Sequence, residues 1–184
     1  MTEQTRIEIV NSNGEQLKSI KEEKRTYEVC LAAVNNYGKA LIYVPMQHRT
    51  YEMYLVACTN DGCVLRVVPR EQRDEALCTA AVHSNGMALS FVPEELKSEK
   101  LCKIALHNNA ASLQFVPKRM ITAEYCAHIM LDSGKNDILA FIPEDVKKTS
   151  FFETLIQIKP DVFWDIPKKF RTAKLCKMAI SGLG

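Results

Sequence analysis

The sequence predicts an all-α fold, an α-solenoid of about seven 24-residue repeats, each made of a helix, a turn and a short second helix. Three observations point to it. Val44-Pro45, Val68-Pro69, Val92-Pro93, Val116-Pro117, Ile142-Pro143 and Ile166-Pro167 set prolines 24 residues apart, with a single interval of 26. Cys30, Cys78, Cys102, Cys126 and Cys176 each follow Thr26, Asp74, Ser98, Thr122 and Thr172 by four residues, and Tyr54 and Phe152 share that column. Within a copy, Leu77, Cys78, Ala81 and Val82, then Leu101, Cys102, Ala105 and Leu106, form one buried stripe at helical spacing.

The copy from Arg73 to Lys97 is the clearest. Asp74 supplies an N-cap oxygen for an orphan amide of the first helical turn. The stripe follows, and Asn85-Gly86 is expected to end the helix, with glycine in the left-handed conformation. Met87 to Val92 reads as a short α or 3₁₀ helix with Leu89 and Val92 inward, a strand being the alternative on a period of two. It stops at Pro93, which disfavours helical geometry in the residue before it. Pro93-Glu94-Glu95-Leu96 suits a one-turn helix with proline first and carboxylates at the positive end.

Residues 1–24 read as a decayed N-terminal cap copy, with Gly14, Leu17 and Ile20 in register but Lys21 in place of proline. Six copies are expected over 25–171 and a half copy over 172–184, all in a single domain. The fourth copy has Asn109-Ala110 in place of Asn-Gly, and the fifth carries two extra residues after Gly134, in Lys135-Asn136-Asp137. The sixth is the deviant, with Pro160 for glycine, Phe152 for cysteine, Leu155 for alanine and Asp165 for the aromatic. The last half copy has an apolar stripe, Leu175, Cys176, Ala179 and Ile180, with no successor to cover it.

No secretory signal and no apolar run near the length of a membrane span is present, so no membrane role is expected. The seven cysteines lack any C-x₂-C pair and read as small core residues in a reducing, cytoplasmic setting. His83 and His107 stand at equivalent surface positions, His128 on a helix and His48 in a loop, without converging partners. No metal and no cofactor is expected. Absence of G-x-S-x-G, of a phosphate loop and of H-E-x-x-H argues against an enzyme, and one cysteine repeated in five copies is a poor way to encode one nucleophile.

Function is therefore sought on the variable surface columns, through which solenoids bind. One patch is Tyr27 and Tyr51, which either face a partner or seal the join to the N-terminal cap. The other is Trp164 and Phe163 with Lys168, Lys169, Arg171 and Lys174. Tryptophan and arginine are enriched in binding hot spots. Phe163 could equally fill the leucine site of its copy and Trp164 replace the missing aromatic.

The pattern T-x-E-x-C-x-x-A-V-x-x-N-G-x-A-L-x-x-V-P-E-E-L, over residues 25 to 184, resembles the short tandem helical repeats of a bacterial family of unknown function, some members of which are effector-like. A weaker likeness is to leucine-rich-variant repeats. The resemblance implies a non-catalytic scaffold binding a protein partner, of bacterial or phage origin and delivered to a host cell if effector-like. It carries over no catalytic residue. Nucleic-acid binding through the basic C-terminal copies is the alternative, weakened by a net charge of only +2. A homodimer through the C-terminal half copy is the third expectation.

Overall fold

The computed structural model describes residues 1–182, so Leu183 and Gly184 of the predicted half copy lie outside the described residues. It is all-helical, with no strand among the described residues. The α-helices are α1 (Glu3–Ser12), α2 (Tyr27–Asn36), α3 (Tyr51–Asn60), α4 (Glu75–Ser84), α5 (Glu99–Asn108), α6 (Ala123–Ser133), α7 (Thr149–Ile158) and α8 (Ala173–Gly182). Between them run short 3₁₀ helices, such as Gly86–Phe91 and Glu94–Leu96. This settles the second element of the repeat as 3₁₀ and removes the strand alternative. Residues 1–24 form a full copy, α1 followed by Gly14–Ser19 and Glu22–Lys24.

Contacts divide the chain into two compact units, Met1–Asn108 and Asn109–Gly184. In the first, α1 packs on α2, α2 on α3, α3 on α4 and α4 on α5, and each long 3₁₀ helix packs on the α-helix of the next copy. In the second, α6 packs on α7 and α7 on α8. Each unit thus stacks sequential copies in the manner of an α-solenoid.

Side-chain oxygens of Thr26, Thr50, Asp74, Ser98, Thr122 and Thr172 accept amides three residues on, as N-caps do. The stripe is core: Val29, Cys30, Ala33 and Val34, and their successors Leu77, Cys78, Ala81 and Val82, are 0% exposed. In the second unit the packing becomes bulkier, through Tyr125, Ile129 and Met130, then Phe151, Phe152, Leu155 and Ile156. Phe152 stacks edge-on with Phe151 (centroids 5.6 Å apart) and lies 5.1 Å from Phe170.

The glycine of the Asn-Gly turn is needed for a different reason from the predicted one. Asn85 is extended (φ −152°, ψ 113°), and its side chain caps the next 3₁₀ helix by accepting Met87 N–H at 3.0 Å. Gly134, in the inserted loop, is the only residue with positive φ among the described residues. The repeat glycines instead sit against the carbonyl of the next copy: a Cβ would fall 2.3 Å from Ala33 O at Gly14, 2.7 Å from Ala57 O at Gly38 and 2.0 Å from Ala81 O at Gly62. Copies approach closely because glycine faces alanine. Proline also sits one place from expectation, Pro93 being the N-cap and not the first residue of Glu94–Leu96.

Two side-chain seams join copies. On one, the last residue of a helix captures the glycine amide of the preceding copy: Gly14 N–H to Asn36 Oδ1 (2.6 Å), Gly62 N–H to Ser84 Oγ (3.2 Å) and Gly86 N–H to Asn108 Oδ1 (2.9 Å). The sixth copy offers no such amide, since Pro160 has none. There the equivalent helix residue is Gly182, packed so closely that a Cβ would lie 2.6 Å from Pro160 Cγ. The proline is matched by a residue without a side chain opposite.

On the other seam, in four copies the residue before the N-cap is an arginine that donates from its guanidinium to main-chain carbonyls. Arg25 Nε bonds Ile20 O (2.8 Å) and its other nitrogens bond Lys18 O (3.3 Å) and Tyr43 O (2.8 Å). Arg73 repeats this on Val68 O, Arg66 O and Phe91 O. Arg49 and Arg171 bond the carbonyls five and seven residues before them.

Candidate interaction surface

The predicted surface residues fall in two places. In the first unit, Tyr27 is half-buried and donates to Glu52 Oε2 (3.1 Å). Tyr51 donates to both oxygens of Asp74 (2.8 and 3.0 Å), and that hydrogen bond pushes its phenol pKa up. Each hydroxyl thus ties the start of one helix to the start of the next. These tyrosines form a seam between copies and leave only part of their rings, 43% in Tyr51, for anything else.

In the second unit, Phe163 is buried in the leucine column of its copy, as expected. Trp164 does not take the place of the missing aromatic. It is 68% exposed, edge-on to Phe163 with centroids 5.3 Å apart and planes at 79°. It occupies the column of Ile42, Arg66, Ser90, Gln114 and Ala140, whose residue types differ from copy to copy.

The basic residues around it are mostly engaged. Arg171 bonds Ile166 O (2.7 Å) and Trp164 O (2.5 Å), its guanidinium 5.6 Å from the Phe163 ring centroid, so it belongs to the arginine seam. Lys169 pairs with Glu144 (3.1 Å) and lies over Phe170. Lys174 pairs with Glu153 (2.7 Å). Lys168 is exposed, and no ion pair reaches it among the described residues. Trp164 is held by a buried ring below and a guanidinium on its own carbonyl.

Beside it lies an open cavity of about 570 Å³ lined by Asn136, Asp137, Leu139, Ala140, Lys147, Asp165 and Pro167. Two departures from the repeat meet here, the inserted loop and Asp165 for an aromatic, and beside them stands Lys147 in the column where four copies carry the seam arginine. Asn136 Nδ2 donates to Asp165 Oδ2 (2.7 Å). Lys147, its side chain only 9% exposed, turns to Glu144 Oε1 (2.9 Å). Lys147 and then Lys169 hold the Glu144 carboxyl below its ordinary range. Sequence reading noticed the insertion and Asp165 separately. The column of Arg25, Arg49, Arg73 and Arg171, which Lys97, Ile121 and Lys147 interrupt, is a further signal in the sequence.

A groove of about 890 Å³ on the first unit is lined by His83, Glu99, Lys100, Lys103, Ile104, His107 and Asn108. Both histidines are exposed, as expected, with His107 Nδ1 3.2 Å from Lys103 O. No group of three or more His, Cys, Asp or Glu is placed to hold a metal among the described residues. Cys30, Cys58, Cys78, Cys102 and Cys126 lie in the core and Cys176 is half-exposed. Burial pushes the thiols of Cys30 and Cys78 up to about 11 and those of Cys58 and Cys126 up to about 12. Such thiols stay protonated and unreactive near neutral pH. No described helix is long and apolar enough to cross a membrane.

Comparison with known proteins adds one finding. Residues 74–121 match a family described as a domain of unknown function (DUF4116). That stretch opens on the N-cap Asp74 and closes just before the N-cap Thr122, and so covers two copies of the repeat. No curated protein and no solved structure matches the chain. Similarity thus reaches the level of the helical repeat, over 48 of 184 residues, and brings no activity with it.

Proposed function

We propose that the chain is a non-catalytic scaffold that binds a protein partner through the variable columns of its repeats, with Trp164 at the centre of the contact surface. The supporting observation is Trp164 itself. A tryptophan 68% exposed, fixed edge-on to a buried ring, offers a large rigid apolar face whose ordering cost is already met. The sequence resemblance adds a bacterial setting and a role as effector or regulator. Free thiols support a reducing compartment such as the cytoplasm.

Nucleic-acid binding is the second reading, favoured only by exposed Lys168 and Lys177. It is weakened because Lys169 and Lys174 are paired and Arg171 is bonded to main chain. A homodimer is supported by Ile180, which is 67% exposed although its equivalents Val34, Cys58, Val82, Leu106, Met130 and Ile156 are all buried.

Capture from lysates at low and moderate salt, comparing the intact chain with a folded Trp164→Ala variant, tests these readings. A salt-resistant protein partner lost with Trp164→Ala supports the scaffold. Nucleic acid that washes off with salt, as counterion release demands, replaces it. Light scattering that shows only monomer, unchanged by Ile180→Glu, disposes of the homodimer.

A further inference from the structure

The cavity beside Trp164 occupies the place that the arginine seam fills in four other copies. At Arg25, Arg49, Arg73 and Arg171 a guanidinium bonds the carbonyls five and seven residues before it, and Arg25 and Arg73 add the carbonyl eighteen residues ahead. Lys97, Ile121 and Lys147 stand in that column in the remaining copies, and what sets the last apart is the inserted loop and Asp165 beside it. For position 147 those carbonyls belong to Ile142, Ala140 and Asp165. Ala140 and Asp165 both line the cavity. Lys147 reaches none of them, because its ammonium is tied to Glu144. An ammonium is a compact point charge and cannot copy the planar fork of a guanidinium, which serves several acceptors at once.

Two further changes open and charge the space. The residue eighteen places ahead is aromatic at Tyr43 and Phe91, but here it is Asp165, whose short side chain leaves room and carries a carboxylate. The inserted loop places Asn136 against one oxygen of that carboxylate at 2.7 Å, which orients it and leaves the other oxygen free of the amide. Asp137, at the rim, is exposed. Lys147 is neutralised by Glu144, so neither Asp137 nor Asp165 has a cationic partner among the described residues.

We propose that this cavity is a receptor for a guanidinium group, filled by an arginine side chain of the partner protein. It deepens the scaffold reading, on which it rests, by naming the chemistry of one partner residue. The incoming guanidinium takes the seam position that Lys147 gave up, donates to the carbonyls of Ala140 and Asp165, and pairs with the Asp165 carboxylate. Charge-assisted, forked hydrogen bonds of this kind discriminate arginine from lysine by geometry as well as charge. The backbone acceptors are set by the repeat itself, so the site is organised before the ligand arrives.

The test is titration of the ¹⁵N-labelled full chain with two capped tripeptides, acetyl-Gly-Arg-Gly-amide and acetyl-Gly-Lys-Gly-amide, with agmatine as a free guanidinium probe. The arginine peptide and agmatine should shift the amides of Ala140, Lys147 and Asp165, and the lysine peptide should bind about tenfold more weakly or worse. The decisive variant is Lys147→Arg. It restores the seam, should melt higher than the parent, and should weaken arginine-peptide binding about tenfold or more by filling the cavity from within. The proposal is overturned if the arginine peptide leaves those amides unmoved, if the lysine peptide binds as well, or if Lys147→Arg binds like the parent. Binding of agmatine without the peptide also overturns it, since the source would then be a free small molecule. These outcomes are separate from capture by Trp164, which can fail or succeed independently.

Discussion

Asn108 Oδ1 accepts the amide of Gly86 at 2.9 Å, and its Nδ2 returns a bond to His83 O at 3.0 Å, so one side chain closes two main-chain groups of the preceding copy. Asn36 does the same with Gly14 N–H and Asn11 O. Replacing Asn108 by alanine leaves a part-buried amide without its acceptor. The expected loss is about 1 to 2 kcal/mol, read from the midpoint of urea unfolding followed by circular dichroism.

Two glycines should respond to alanine for opposite reasons. At Gly62 a Cβ meets Ala81 O at 2.0 Å, so the copies must part, and Gly62→Ala should cost about 3 kcal/mol or more, at the upper end of overpacking. Ala81→Leu, on the other side of that contact, should cost about 1 to 3 kcal/mol. At Gly134 nothing lies within 4 Å, but φ is +67°, so Gly134→Ala should cost only the roughly 1 to 2 kcal/mol of a left-handed L-residue. Asparagine, which tolerates that conformation, should recover most of the loss at 134 and none at 62. Equilibrium unfolding of the five variants checks the set.

Ser112 occupies the buried column that holds Ala40, Val64 and Ala88, and its hydroxyl has no hydrogen-bond partner. Ser112→Ala removes a buried polar atom without opening a hole. Stability should rise by about 1 kcal/mol, and a fall in the unfolding midpoint would show that the hydroxyl is satisfied in solution.

The buried thiols set a pH limit. Their ordinary value is 9.0 and burial raises Cys58 and Cys126 to about 12 in the folded chain. The unfolded chain therefore loses those protons first, and stability complete below about pH 9 falls as pH rises toward 12. Alkaline unfolding should move to higher pH in Cys58→Ala once its lower neutral-pH stability is subtracted. Near pH 8, thiol reagents should label half-exposed Cys63 and Cys176 well before the other five cysteines.

Much of the fold was legible in the sequence because it rests on columns. N-caps at Thr26 and Asp74, the stripe through Cys78 and Val82, and the Pro93 stop all follow local rules that one copy states and the next repeats. The glycines were located but misread, since Gly62 answers to Ala81 of the next copy and that constraint is not local. Arg25 and Arg73 were overlooked because a charged side chain reads as solvated unless its carbonyl partners are visible. The candidate site suffered from the same blindness. Trp164 stands out by residue type, whereas the cavity beside it depends on how the inserted loop, Asp165 and Lys147 come together, which only the structure reveals.

The seams that join copies close over short stretches of chain: 22 residues from Gly14 to Asn36 and from Gly86 to Asn108, and 18 from Arg25 to Tyr43. Loop-closure entropy is therefore modest for every one of them. A chain whose stabilising contacts are this local has low contact order and should fold quickly, any adjacent pair of copies serving as a nucleus. Copies can then order one after another behind the growing end of the chain during synthesis, each needing only the copy before it.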